Sequence, residues 1–600
     1  MVATRGTRSV RVASLVSAQS AVAWLAALVI LSTLVRFALT LLIPAPWIFS
    51  DELKYSELAK SFAASGHFAV RDVPGLGLGP LYPLLISPAY ALFDNLPHAW
   101  TAIRLINSTL MSLSAIPAYL LARRLVSRGW ALTAAALVLL IPSLGYAGVV
   151  MTENLFLPIF LTTMLAIVAA FERPTVGRQV IAVALVGLGL LTRPQAVALV
   201  PALLTAVVVV VLGDRCAEDR PVLRGLGVYT PTFVALTGGV VLVGAWEAAQ
   251  GRTLSASFGD AQGVWHLHYS VAAIARWFLY HASELDLYAG VLPFAAFLVL
   301  AASVFDRSDR KLRVVSAVFV SAAFWLLVTA AAFVSTIANY DVHTPVSRIS
   351  DRYTFYALPL MMIALVAWAT GRLRRRVGPM IAAAAIAGLL PLVLPYRKLI
   401  NNEIIPDTFG LLPWSRVDGG LLVAIPSVTA KVAVASLVLG ALFILLRGPR
   451  LTRFLPLLVA LYLLAVLSAV IGRTHATSAF AAQFIQSNRA WIDQAIGPNS
   501  NAVVIYSGRA DPHVVWENEF FNRSVGGVYY LRVPSWVGLP EQKLVVRNGA
   551  LVDESGRPLR ARYALVDPWV VLHGRVVARD RTSGMRVIRL DGHIARIGVF

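Results

Sequence analysis

A single cysteine, Cys216, occurs in 600 residues, which excludes an internal disulfide framework and any cysteine-rich metal site. Charge is also scarce. Only 14% of residues are Asp, Glu, Lys or Arg, against 58% hydrophobic, a balance that belongs to an integral membrane protein. Acids are scarcer than bases, 31 to 52, and the formal net charge is +21. In a soluble chain that surplus would point to nucleic acid. Here the arginines sit in short connections between apolar runs, so membrane topology accounts for them and no nucleic-acid partner is expected. The apolar runs lack the period-2 alternation of barrel strands, which leaves α-helices to span the bilayer. No solenoid repeat and no low-complexity linker is visible.

What is present is a series of apolar runs of roughly 20 residues, each long enough to cross the hydrocarbon layer as a helix. Arg5, Arg8 and Arg11 precede the first, which is too long for a signal-peptide core and reads as an uncleaved span. Spans are expected near 21–43, 99–121, 130–147, 153–171, 179–192, 195–212, 225–247, 283–304, 314–337, 353–370, 377–395, 421–446 and 454–472. Alternate connections hold the positive charge, among them Arg123/Arg124/Arg128, Arg307/Arg310/Lys311/Arg313 and Arg372/Arg374/Arg375/Arg376. The positive-inside rule puts these in the cytoplasm. With about thirteen helices the parity closes from end to end, placing the N-terminus inside and the C-terminal region outside. The expected organisation is a cytoplasmic segment 1–20, a membrane domain 21–472 with an outer loop 44–98, and an extracytoplasmic α/β domain 473–600. A multi-pass protein of the plasma or inner membrane is the compartment this implies.

In the outer loop Ser50 is placed to cap a helix whose first turn holds Asp51 and Glu52, favourable against the helix dipole. Tyr55, Leu58, Ala59 and Phe62 share one face of that helix, which suits a position along the membrane surface. Gly75-Leu76-Gly77-Leu78-Gly79-Pro80 lacks the Lys-Ser/Thr of a phosphate loop and reads as a hinge. Leu81 to Phe93, broken by Pro83 and Pro88, reads as an interfacial or membrane-dipping helix. After residue 473 the pattern changes. Ala502–Tyr506, Val528–Leu531 and Val587–Leu590 look like strands, and Val545–Val552 like a hairpin turning at Asn548-Gly549.

Ionisable residues at a membrane boundary are costly unless hydrated or paired. Several fall at helix ends on the expected outer side: Asp51 and Glu52; Glu153 in Met151-Thr152-Glu153-Asn154; Arg193 in Leu191-Thr192-Arg193-Pro194-Gln195; and His343, Arg352 and Tyr353. Carboxylates there can take a proton from a hydroxyl, and arginines can bind a phosphate in forked geometry as a bond to it breaks. Asp51 and Glu52 are candidate general bases, and acids with arginines on one face suit sugar transfer from a lipid phosphate. Structural alternatives stay open for each: helix-start acids, a snorkelling Arg193, and an Arg352 that only pairs with Asp351 or stacks on Tyr353. His266 and His268 beside Trp265 could touch sugar or metal, or form part of an interfacial belt. No residues show metal-ligand spacing. Asn522-Arg523-Ser524 matches the N-glycosylation tripeptide by a pattern that also arises by chance.

The order of Asp51-Glu52-Leu53-Lys54-Tyr55, Gly79-Pro80-Leu81-Tyr82-Pro83, Met151-Thr152-Glu153-Asn154-Leu155-Phe156, Leu191-Thr192-Arg193-Pro194 and Asp351-Arg352-Tyr353-Thr354-Phe355-Tyr356 resembles the C-type glycosyltransferase superfamily. The closest likeness is to the branch of protein O-mannosyltransferases and the aminoarabinose transferase, over about residues 20–370. The resemblance implies a helical polytopic enzyme that uses a polyprenyl-phosphate-linked sugar and inverts the anomeric centre in one displacement. It implies that Asp51 takes the acceptor proton, Glu153 is the second outer acid, and Arg193 and Arg352 neutralise the departing phosphate. Tyr82, His343 and Tyr353 join the substrate-binding candidates. Glu52 beside Asp51 leaves open which acid is the base. Some relatives use a divalent metal. The acceptor is expected to be a cell-envelope glycan, lipid or protein hydroxyl, with membrane lipids around it. Two rivals remain: a transporter or flippase for a lipid-linked glycan, and a non-catalytic scaffold that binds a cell-wall polymer.

Overall fold

The computed structural model describes residues 3–590 except 48, 76–78, 219–220, 254–267, 341–348, 401–407, 418–426, 447–448, 536–537 and 560. Each expected span coincides with helical segments, several of them broken or shorter than expected. Among the described residues eight helices are long and apolar enough to cross a membrane, and two bent pairs raise the number to ten. The remaining three expected spans are the shorter apolar helices Val176–Thr192, Phe355–Ala369 and Val377–Val393, so the count of about thirteen divides into ten and three.

The two bent pairs have local causes. Arg128–Leu139 turns by 56° into Pro142–Gly148, where Pro142 cannot donate the hydrogen bond that would continue the helix. The stretch expected as one span at 283–304 is instead two helices, Val271–Ala289 and Leu292–Phe305, at 118° to each other. Gly290 closes the first with a left-handed φ of 94°, Val291 follows at 65°, and Pro293 sits in the first turn of the second.

The chain forms two compact units. The first comprises residues 1–35, 109–145 and 153–471 and is a helical bundle. Its core is built of tightly packed helix pairs, with residues 355–369 buried throughout between their neighbours. Trp368 stacks on Phe443 with ring centroids 4.2 Å apart.

The second unit comprises residues 36–108, 146–152 and 472–600. Its six-stranded sheet runs in the order 542–543, 525–530, 502–506, 563–566, 586–589, 575–579. The first four strands are parallel, and the last two are antiparallel to their neighbours. Ala502–Tyr506 is buried along its whole length, as a central parallel strand must be. Val503 and Ile505, Ala564 and Val566, and Ile588 and Leu590 point to one face and join a single apolar core. The hairpin Val545–Arg547/Ala550–Val552 turns at Asn548 and Gly549, both at positive φ, the backbone that Asn-Gly adopts at low cost. The strands expected at 502, 528, 545 and 587 are all present, and Tyr563–Val566 and Arg575–Arg579 were not foreseen.

In the same unit a helix spans Phe49–Ser65, so Ser50 lies inside its first turn and not at its cap. Tyr55, Leu58 and Ala59 are buried against protein, packing on Leu81–Leu92, with Phe62 half-buried. The apolar face that suited a membrane surface is therefore an internal packing face.

Candidate active site

Two groups of the expected site residues are brought together, one in each unit. The second unit holds Asp51, Glu52 and Tyr82. Glu52 is fully buried. Its Oε1 accepts a hydrogen bond from the Trp47 amide at 2.9 Å, and its Oε2 accepts one from the Val150 amide at 3.0 Å. Both carboxylate oxygens thus bind backbone, joining segments about a hundred positions apart. Asp51 is half-buried at the same helix start, where the dipole favours its charge. The two acids, equal in the sequence, differ in surroundings: Glu52 is a clamp and Asp51 keeps an accessible edge.

The same unit also holds Arg104, which no sequence signal singled out. Its guanidinium donates to the carbonyls of Thr40 and Ile43 at 2.9 and 3.2 Å and lies 3.9 Å from the Trp100 ring centroid. It satisfies carbonyls at the end of the first span that have no partner within the helix. Tyr82 is fully buried, donates to Asn107 Oδ1 at 3.1 Å, and meets Tyr55 edge to face.

Farther along the helix Phe49–Ser65, a buried ionic network ties it to the C-terminal sheet region. Arg71 donates from Nε and an Nη to the two oxygens of Glu519 at 2.8 and 2.7 Å, and from its other Nη to Glu541 at 2.7 Å. Lys60 donates to Glu57 at 2.6 Å and to the Glu519 carbonyl at 2.8 Å. Arg71 and Asp72 both take positive φ, a strained turn that the ion pairs hold in place. Glu517, on the helix His513–Phe521, is also fully buried. Burial pushes its carboxyl well above the usual range, with Glu52 adding to the effect and Arg489 opposing it.

The first unit holds Glu153, Arg193, Arg352 and Tyr353. Arg193 lies between the helices Val176–Thr192 and Pro194–Ala217 in an extended conformation, φ −160° and ψ 148°. The ring of Pro194 disfavours the helical region for the residue before it, so the sequence itself breaks the helix at Arg193. The turn throws the guanidinium inward. It is 3.1 Å from the Glu153 carboxylate, donates from Nε to Gln195 Oε1 at 2.9 Å, and donates from an Nη to the Tyr356 hydroxyl. Glu153 is the first residue of its helix, where the dipole favours an acid.

Arg352 approaches the same place. The guanidinium carbons of Arg193 and Arg352 lie 5.5 and 5.3 Å from the Tyr353 ring centroid, and Arg352 reaches the Tyr353 hydroxyl at 3.4 Å. Asp351 is buried and accepts from the Phe409 and Gly410 amides, pinning the turn that carries Arg352 and Tyr353. Glu153, Arg193, Arg352 and Tyr353, scattered over two hundred positions, therefore form one cluster with Tyr356 and Phe156 against it. Two guanidiniums and one carboxylate leave it cationic, and an anion would find forked donors already oriented.

His343, His266 and Trp265 lie outside the described residues, and His268 is exposed. Among the described residues no three His, Cys, Asp or Glu side chains come together to hold a metal ion, so no step is derived through one. Asn522 is fully buried, its side chain bonded to the amides of Ile492 and Asp493 and to the carbonyls of Arg489 and Asn518. The glycosylation tripeptide there is a folding element. Sequence reasoning also missed Glu284 and Asp286, both fully buried near the 118° bend.

Residues 72–235 match the family described as dolichyl-phosphate-mannose-protein mannosyltransferase. No curated protein matches the sequence. Among solved structures, the chain is similar in fold to ArnT from Cupriavidus metallidurans bound to undecaprenyl phosphate. The identity is 17% over 94% of this chain and 97% of that one, with a TM-score of 0.51. Weaker likenesses reach the apo oligosaccharyltransferase of Archaeoglobus fulgidus (14% identity, 84% and 64% coverage, TM-score 0.40) and the arabinosyltransferase EmbB of Mycobacterium smegmatis (14%, 80% and 43%, 0.40). The fold comparison rests on the first of these.

Proposed function

We propose that this chain is a C-type glycosyltransferase that moves a sugar from a polyprenyl-phosphate donor to a hydroxyl acceptor outside the cytoplasm. The observation that carries this reading is the meeting of buried Arg193 and Glu153 with half-buried Arg352 around Tyr353. Two guanidiniums so placed are suited to a phosphate whose charge grows as its bond breaks. That the ArnT of similar fold binds undecaprenyl phosphate supports the lipid carrier.

In the proposed reaction the acceptor oxygen forms a bond to the anomeric carbon while the bond from that carbon to the phosphate oxygen breaks. The electron pair leaves with the polyprenyl phosphate, and the configuration inverts. Asp51 takes the hydroxyl proton, because Glu52 has both oxygens on backbone amides. Glu153 holds Arg193 in position until the phosphate arrives and then shares it. The acceptor is a cell-envelope glycan, lipid or protein hydroxyl.

The test is to incubate the purified full chain with a panel of radiolabelled polyprenyl-phosphate sugars and follow label into membrane and cell-wall fractions. Transfer from one donor that disappears in Asp51→Asn, with folding and insertion unchanged, is expected. Transfer that survives Asp51→Asn would remove Asp51 as the base, and no transfer from any donor, with transport of a lipid-linked glycan instead, would overturn the enzyme reading.

A further inference from the structure

The first unit contains a second cationic place that the transferase reading leaves unused. It is a cavity of about 470 Å³ where the helix Leu292–Ala301 and its 3₁₀ extension Ala302–Phe305 meet the start of the helix Val377–Leu389. The two helices pack side by side, and the connections 306–309 and 370–376 close over their ends. By the charge rule these connections face the cytoplasm.

The polar wall is organised. Asp306 accepts from the Ser308 amide and hydroxyl at 2.8 and 2.7 Å, and from Arg374 Nε at 3.3 Å. Arg374 also donates to the Ser308 hydroxyl. Asp306 and Arg374 therefore neutralise each other and form a fixed floor. Arg307 and Arg376 line the same cavity, and among the described residues neither guanidinium has an ion-pair or hydrogen-bond partner.

The cavity also has an apolar side. Phe305 lines it and is 58% exposed, and on the helix Val377–Leu389, which brings Pro379 to the same cavity, Val377 and Ile381, one turn apart, are 51% and 47% exposed. In a membrane protein such a face lies against acyl chains. Two arginines without a partner among the described residues, in a cavity that also holds exposed Phe305, match an amphiphile with an anionic head and hydrocarbon tails. A charge-neutral ligand would leave the guanidiniums uncompensated, and a purely ionic one would leave Phe305 wet.

We infer that this cavity binds the phosphate of an anionic membrane phospholipid, with Arg307 and Arg376 on the phosphate and the acyl chains along Phe305, Val377 and Ile381. The shared chemistry is a phosphate anion, and the membrane lipid is its source. Both arginines are exposed and unpaired, so their replacement leaves the packing of the bundle intact.

The test uses the full chain in a zwitterionic detergent, titrated with phosphatidylglycerol, phosphatidylcholine or inorganic phosphate and read by native mass spectrometry of bound lipid and by melting temperature. Phosphatidylglycerol is expected to bind and to raise the melting temperature. Its affinity should fall about fivefold in Arg307→Gln or Arg376→Gln, and about 25-fold in the double variant. Arg215→Gln, a charge removed from another connection, should leave it unchanged. Equal binding of phosphatidylcholine would overturn the anionic assignment. Inorganic phosphate binding as tightly as the lipid would make the site one for a free anion, and an equal loss in Arg215→Gln would reduce it to general surface charge. Sugar transfer is read separately, so a failed transferase assay has no bearing on the result.

Discussion

The Arg193 guanidinium lies 3.1 Å from the Glu153 carboxylate, and the two side chains are 3% and 1% exposed. A pair so removed from water must recover through its own contacts what it lost in hydration, and removing one partner strands the other charge. Arg193→Ala is expected to destabilise the first unit by about 3–5 kcal/mol, and Glu153→Gln by less, because Gln195 and Tyr356 remain to Arg193. Scanning fluorimetry of the single and double variants would measure it. Simple additivity of the two would show that the pair is not coupled. Arg193→Lys keeps the charge but not the fork, and sugar transfer should fall by about 100-fold or more.

The neighbouring acids Asp51 and Glu52 should separate cleanly in function and stability. Asp51→Asn is expected to reduce transfer by about 10²–10⁴-fold while leaving the melting temperature nearly unchanged. Glu52→Gln weakens one of two bonds to buried amides and should cost about 1–3 kcal/mol of stability. A reversed outcome, with Glu52→Gln stable and inactive, would assign the base to Glu52.

Glu517 makes stability depend on pH in a predictable direction. Its carboxyl ionises later in the folded chain than in the unfolded one, whose ordinary value is 4.5. Above that value the folded form holds a proton that the unfolded form has lost, so rising pH favours unfolding. The contribution is fully present below the unfolded value and is lost as pH rises toward the folded one. Glu517→Gln should flatten the fall in melting temperature as pH rises above 4.5 and raise stability on the alkaline side. An unchanged slope would mean that Arg489 already keeps the acid ionised.

Gly410 passes so close to Glu284 that a Cβ there would strike Glu284 Oε1, and it would lie 2.8 Å from the Tyr288 Cβ. Gly410→Ala should therefore cost about 1–3 kcal/mol by overpacking. It should also disturb the amide that Asp351 accepts from, and with it the turn carrying Arg352. Combining it with Glu284→Ala should recover part of the loss, measured as non-additivity of the melting shifts. Full additivity would place the strain elsewhere.

Much of this protein could be read along the chain because the relevant causes are local. A run of apolar residues of the right length is helical wherever it lies in a bilayer, so the spans followed from composition alone. Arg193 stood out because Pro194 breaks the helix at that residue and the charge rule gives no reason for a cation there. Asn548-Gly549 marked its own turn.

Other features depended on partners that no local pattern announces. Glu52 differs from Asp51 because it meets the amides of Trp47 and Val150, and a backbone amide a hundred positions away leaves no trace in the sequence around an acid. Asp351 is anchored by the Phe409 and Gly410 amides, more than fifty positions away, and nothing in the residues around it announces them. The 118° bend at Gly290 lay inside a stretch expected as one span, since hydropathy counts residues and ignores φ. Membrane spans and the inward turn at Arg193 were thus set by the chain's own order. Which carboxylate stays open to a hydroxyl, and which guanidiniums share Tyr353, was decided by long-range packing, because both depend on what fills the space around a charge.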